Sequence, residues 1–314
     1  MSSRFLLGAL CAVVTITIWA GWLIVMRVGM ARHLAVVDLI ALRFGVAGLV
    51  MVPVVMRRGW ALDQLGWTGF AAIAIGGGAA YTLTVGAGLA FAPVLHASAF
   101  TQGVLPLTTA VMAVIVLKER LTAWRKIGIV LIIGGAVLIA GLGLGDFGGR
   151  QSIGQAIFLS ATLLWAAYTV ALRKARLDGL HATAIACVSS LIVYIPIYLA
   201  LLGPRVLAAP WHELVWQGLY QGVLTGVVSL VLFGRAVALL GASAAGAFIA
   251  LGPVIATLLA IPVLNEWPSV EEWIGVAVIS VGVYLASGGP LPRRLTARPA
   301  WRDLATPSRD PGLR

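Results

Sequence analysis

The chain is a succession of long apolar runs, and this constrains its fold more than any other feature. Ten runs can be placed, at about 5–26, 36–56, 66–90, 94–117, 125–143, 152–172, 182–202, 214–235, 242–264 and 271–287. Short charged or glycine- and proline-bearing breaks separate them, such as Arg57-Arg58-Gly59, Lys118-Glu119-Arg120 and Arg173-Lys174-Ala175-Arg176. A helix needs roughly 20 apolar residues to cross a hydrocarbon core of about 30 Å. Backbone amides in lipid must bond internally, so uninterrupted spanning runs are helices, whereas barrel strands would alternate. Composition excludes water as the solvent: charged residues make up 11% and mean hydropathy is +1.01, against roughly 25% charged in a soluble domain. The expected class is an all-α polytopic membrane protein with ten transmembrane helices. The first run, Phe5 to Met26, is longer than a signal-peptide core and shows no clear cleavage site, so it is expected to be retained as a helix.

The net charge of +11 comes from 22 Lys+Arg against 11 Asp+Glu. With the N-terminus placed in the cytoplasm, the inner segments carry eleven cations before the tail: Arg4, Arg57, Arg58, Lys118, Arg120, Arg125, Lys126, Arg173, Lys174, Arg176 and Arg235. The outer segments carry four, Arg27, Arg32, Arg150 and Arg205. This is the positive-inside asymmetry, which predicts an integral protein of a bacterial inner (cell) membrane with both termini cytoplasmic. No basic patch stands on a soluble domain, so nucleic acid is not an expected partner. The segment 290–314 holds five Pro and six Arg without apolar periodicity and is expected to be a disordered basic cytoplasmic tail.

One unit occurs twice. Pro106 to Gly141, shifted by 147 residues, meets Pro253 to Gly288 without a gap, and 11 of the 36 pairs are identical. Apolar bias explains the aliphatic matches but not Pro106/Pro253, Glu119/Glu266, Gly128/Gly275 and Gly135/Gly282 in register. Fainter echoes at a shift of 146 are Trp19/Trp165 and Arg27/Arg173. Two copies of five runs each place the second copy upside down relative to the first. Charge agrees: segment 118–126 has four cations and one Glu, while its echo 265–272 has Glu266, Glu271 and Glu272 and no cation. The expected organisation is a first five-helix repeat over 1–145 and an inverted second repeat over 150–289.

The doubled pattern P…LKE…G…GG…G and P…LNE…G…G…G, with Leu42-Arg43-Phe44 in the second run, resembles the EamA family of the drug/metabolite transporter superfamily. The resemblance covers residues 5–288. It implies a ten-helix, two-repeat transporter with a central cavity between the halves, typically exporting metabolites, amino acids or drugs. Asn265 in place of Lys118, and Trp267-Pro268 after the second Glu, depart from the first copy without disturbing the match. Inverted repeats also carry a physical argument, because two packings related by a pseudo-two-fold axis can exchange roles and open a midplane site to each side in turn.

Candidate site residues come from polar and aromatic side chains at helical spacing, since polarity inside a bilayer is costly unless used. The fourth run offers Ser98, Thr101 and Gln102; the first, Trp19 and Trp22; the sixth, Trp165 and Tyr168; the third, Tyr81; the eighth, Gln221. Together they form a candidate cavity of aromatic walls and neutral hydrogen-bonding groups that would bind a small-molecule substrate. The competing interpretation is that Ser/Thr pack helix on helix and Trp/Tyr form interfacial belts. Arg43 is the one cation well inside a run. It could bind an anionic group, snorkel outward or satisfy helix-end carbonyls, and the family resemblance implies a structural role for it; Asp38 is poorly placed to partner it. His96, opening the fourth run, is a second possible charge contact. Glu119 and Glu266 end the fourth and ninth runs, where each could accept from the first N–H groups of the next helix; with Pro106 and Pro253 they are assigned structural roles.

Other chemistries leave no trace in the sequence. Gly143–Gly148 spells G-x-G-x-x-G but follows an apolar run rather than a strand, so it does not mark a dinucleotide site. There is no Walker A motif and no metal-ligand spacing, so neither cofactor nor metal is expected. Cys11 and Cys187 both fall inside apolar runs. An integral membrane enzyme would need a nucleophile, base or metal cluster, and a non-transporting scaffold would need no cavity. Small organic solute and lipid bilayer are the expected partners; nothing in the sequence sets the oligomeric state.

Overall fold

The computed structural model describes residues 3–140 and 149–288, and within them the chain is helical with no strand. The Gly143–Gly148 stretch and the tail 290–314 lie outside the described residues. In chain order the helices are α1 (Ser3–Ala31), α2 (Val36–Arg58), α3 (Leu62–Leu89), α4 (Val94–Leu117), α5 (Ala123–Ile139), α6 (Arg150–Ala175), α7 (Gly179–Leu202), α8 (Trp211–Leu240), α9 (Ala244–Leu264) and α10 (Val270–Ala286). All but α5 and α10 are long and apolar enough to cross a membrane, which gives eight spans by that measure. The remaining two have 17 residues each. The chain is an integral membrane protein.

The surface has the polarity expected of lipid as solvent. Leu49, Met56, Ile115, Val130, Ile192 and Leu201 are exposed, whereas Thr15, Ser98, Thr162, Gln221, Ser229 and Thr257 are buried. Lipid tails offer helices no hydrophobic drive to associate, so close van der Waals contact must hold them together. Contact is extensive between α5 and α10. A Cβ added to Gly128 would lie 2.6 Å from the Gly282 carbonyl oxygen, and one added to Gly135 would lie 2.7 Å from that of Gly275. The residues pair in opposite order along the two helices, so the crossing is antiparallel. The 147-residue shift carries Gly128 onto Gly275 and Gly135 onto Gly282, so it converts one glycine contact into the other.

The same exchange runs through the other helices. α1 packs on α8 as α6 packs on α3; α1 packs on α9 as α6 packs on α4; α2 packs on α8 as α7 packs on α3. The pairs α2–α7, α4–α9 and α5–α10 map onto themselves. Local geometry repeats too. α4 and α9 each end on a left-handed residue, Lys118 at φ 55° and Asn265 at φ 56°. Each following helix is then capped by a hydroxyl: Thr122 Oγ1 accepts from Arg125 N–H at 3.3 Å and Ser269 Oγ from Glu272 N–H at 3.2 Å. Both α4 and α9 also break in mid-course, with a π-turn at Ala99–Gly103 before Pro106 and a 3₁₀ turn at Phe248–Leu251 before Pro253. Proline has no N–H and its ring crowds the preceding turn, so a widened or tightened turn absorbs the misfit.

Candidate functional site

Between the helix ends, side chains from α1, α2, α3, α6 and α8 meet. Trp22, Tyr81, Trp165 and Tyr168 form a continuous aromatic row, with successive ring centroids 6.3, 4.9 and 5.1 Å apart. Trp22 Nε1 donates to Gln221 Oε1 at 2.8 Å, Gln221 Nε2 to Gln217 Oε1 at 3.2 Å, and Gln217 Nε2 to the Val25 carbonyl at 3.0 Å. This chain orients the Trp22 ring and satisfies Gln221, which is fully buried. Arg43 on α2 sits over the other side of Trp22, its Cζ 4.9 Å from the ring centroid and 5.7 Å from that of Phe44. Trp19 repeats the placement of Trp165 in the other half: Trp165 meets α3 through Tyr81, and Trp19 meets α8 through Ser229 Oγ, at 3.0 Å, and the Phe233 ring.

The sequence candidates therefore separate. Trp22, Tyr81, Trp165, Tyr168, Gln221 and Arg43 come together. Ser98 and Thr101 are buried, and their hydroxyls donate back to the carbonyls of Leu95 and Ala97 on their own helix, at 2.9 and 2.6 Å. The half-buried Gln102 lies with its side-chain amide against Gly252, at the α4–α9 contact. Asp38 accepts from Tyr198 at 2.7 Å and pairs with Arg205 at 3.1 Å, so it is not the partner of Arg43.

The two ends of α4, a helix of 24 residues and so about 36 Å long, carry the polar clusters. At its C-terminal end Glu119 accepts from Arg173 Nη2 at 2.6 Å, with Arg125 at 4.0 Å. At its N-terminal end Glu266 accepts from the Val94 N–H at 2.8 Å and pairs with Arg27 at 4.0 Å. Neither glutamate caps the next helix, contrary to the expectation from sequence; Thr122 and Ser269 occupy that position, leaving the carboxylates to reach across to other helices. The pairs Glu119–Arg173 and Glu266–Arg27 join residues that echo one another in sequence, and each pair bridges the two halves of the chain.

A second network at the Glu266 end has no counterpart at the other among the described residues. His96, 1% exposed, bonds Glu272 through Nε2 at 2.9 Å and Gln155 through Nδ1 at 3.0 Å. It ties α4 to α10 and α6 beside a cavity of about 270 Å³ lined by Leu95, Gln151, Glu266, Trp267 and Glu272 among others. One repeat along, Glu272 becomes Arg125, whose Nε donates instead to the Ala286 carbonyl at 3.1 Å. Gln155 carries no signal in the sequence, where it is one polar residue in the first turns of α6. In the sequence Arg27 and Arg173 stand out only as a 146-residue echo of each other, which carries no sign of their partnership with the glutamates. No group of three or more metal-ligating side chains occurs among the described residues.

Comparison with known proteins agrees with this architecture. The EamA-like transporter family matches residues 6–141 and again 152–288. An uncharacterized transporter of Archaeoglobus fulgidus is 27% identical over 87% of this chain and 94% of its own. A probable terminal-alkyne amino-acid exporter of Streptantibioticus cattleyicolor is 27% identical over 95% of this chain and 96% of its own. One solved crystal structure, 22% identical, superposes with a TM-score of 0.57 over 95% of this chain and 100% of that one, which shows a shared fold.

Proposed function

Because the chain belongs to the EamA-like transporter family and is thus a membrane transporter, we propose that it exports small organic solutes by alternating access at the aromatic site between its two halves. The substrate classes proposed are metabolites, amino acids or drugs, in keeping with the exporter name carried by the Streptantibioticus relative. In this reading α5 and α10 also span, which gives ten helices in two inverted five-helix repeats, 1–145 and 150–289. Both termini and the tail 290–314 face the cytoplasm of a bacterial inner membrane.

The observation that carries this reading is the exchange of contacts between the halves. Glu119–Arg173 at 2.6 Å closes one end across the halves, and the same pair, carried by the repeat, sits at the other end as Glu266–Arg27 at 4.0 Å. Two faces latched by copies of one contact have two equivalent ways to pack, each opening what the other closes. The antiparallel glycine crossing of α5 and α10 and the reciprocal helix contacts support the inversion. The aromatic row and Gln221 between the latches supply an apolar wall with a few oriented polar groups, the usual make-up of a small-molecule site.

The test is solute flux into proteoliposomes of purified, oriented protein, using a panel of labelled amino acids, organic acids and cationic drugs, with and without a pH gradient. Saturable flux of at least one class, lost in Trp165→Ala while the protein stays monodisperse, is expected. Folded protein that moves none of the panel in either direction would overturn the proposal.

A further inference from the structure

Arg43 is a guanidinium within a membrane helix, the eighth of the 23 residues of α2. Its Nη1 is sealed from solvent without a hydrogen-bond partner, and the side chain makes no ion pair or hydrogen bond with any described residue. The surroundings explain why. Trp22 and Phe44 present their rings to it, and Tyr81 and Cys187 lie beside it. The carboxylate nearest in sequence, Asp38, is held by Tyr198, Arg205 and the Ala35 N–H. A charge kept within a bilayer is costly and is ordinarily paired. Ring faces offset part of that cost by cation–π attraction, but they cover the guanidinium plane and leave its N–H edge unused.

We infer that Arg43 is the carboxylate anchor of the central site, so that the transported solute is an organic anion or zwitterion with an apolar body. This rests on the transporter reading and narrows its substrate. The guanidinium fork matches a carboxylate with two parallel N–H···O bonds, which a lysine point charge cannot reproduce. Beside that anchor the Trp22–Tyr81–Trp165 row, with centroids 6.3 and 4.9 Å apart, forms an apolar wall for the rest of the solute. The positions one repeat along from Arg43 are Ser189 and Ser190. The second half therefore contributes no cation opposite it, and the site holds one carboxylate. Gln221, buried and bonded to Trp22, supplies the neutral polar side of the same site.

The test compares three probes with one body, 3-phenylpropionate, 3-phenylpropanamide and L-phenylalanine, in a thermal-shift titration of the solubilised full chain and in proteoliposome flux. Wild type is expected to bind both carboxylates about tenfold or more tighter than the amide, because the amide leaves the buried charge unpaired. Arg43→Gln is expected to erase the preference, and Arg43→Lys to keep a reduced one. Equal binding of amide and carboxylate by wild type, or no carboxylate binding at all, overturns the inference, and both are read without any variant. Retention of the preference by a folded Arg43→Gln overturns it as well. Carboxylate-selective binding without flux would refute the transporter reading alone, whereas flux of other solutes indifferent to Arg43→Gln would refute the anchor alone.

Discussion

Substituting Glu119→Gln removes the charge that pairs with Arg173 across the two halves at one end of the molecule and leaves a side chain of nearly the same shape. The Glu119–Arg173 bond is 2.6 Å long, but the two side chains are 30% and 39% exposed, so water screens it. An ion pair at such a site contributes about 1 kcal/mol, and the hydrogen bond that glutamine retains keeps part of that. If the pair forms only when this end is closed, its loss shifts the balance between closed and open states by up to roughly fivefold. Glu266→Gln acts on the echo pair, which is 4.0 Å long and involves no direct hydrogen bond to Arg27, so its shift should be smaller and opposite in direction. Spin labels on the exposed Arg120 and Arg176 positions report on one end, and labels on Arg32 and Trp267 on the other. Pulsed dipolar distances in nanodiscs should show Glu119→Gln enriching the longer separation at 120/176 while the 32/267 pair draws in. Distances that lengthen at both ends, or at neither, would refute the reciprocal-latch argument.

Two further outcomes follow from the packing and the polar clusters. Gly128→Ala puts a methyl group 2.6 Å from the main chain of α10, where neither helix can yield without moving the other. Overpacking of this kind costs about 1–3 kcal/mol, and a lowered unfolding temperature in detergent checks it against Gly134→Ala, whose Cβ meets nothing. His96→Ala leaves the buried Gln155 amide without its partner and removes one bond to Glu272, whose other oxygen keeps the Ser269 N–H, an expected loss of about 1–3 kcal/mol; His96→Gln, which can bond one of them, should recover part of the thermal stability.

The helical class and the unit used twice were legible because both depend on features that survive without neighbours: run length, glycine and proline in register, and the sign of each turn. The internal echo even named the members of both latches, although not that Arg173 would meet Glu119. That meeting depends on how α6 lies beside α4, which no local pattern encodes. The glutamates misled for the same reason. By sequence they precede a helix and should cap it, but Thr122 and Ser269 stand closer to the helix start and take the first free N–H groups. The hydroxyl stripe on α4 pointed to function through its spacing alone. In a helix a serine or threonine can always satisfy itself on the carbonyl three or four residues back, as Ser98 and Thr101 do. Arginine has no such local escape, and for that reason Arg43 is informative.

The glycine-paired helices have a consequence for the lipid around them. At 17 residues each, α5 and α10 are about 26 Å long, while α1, with 29 residues, is about 44 Å. A bilayer of about 30 Å is thus too thick for one flank of the molecule and too thin for α1 unless that helix tilts. In the ten-span reading proposed above, the mismatch would thin the membrane locally along the α5–α10 edge and give the protein a preferred bilayer thickness. Reconstitution in lipids of shorter chain length should relieve that strain, and chain length becomes a way to tune the motion of the two halves without altering a residue.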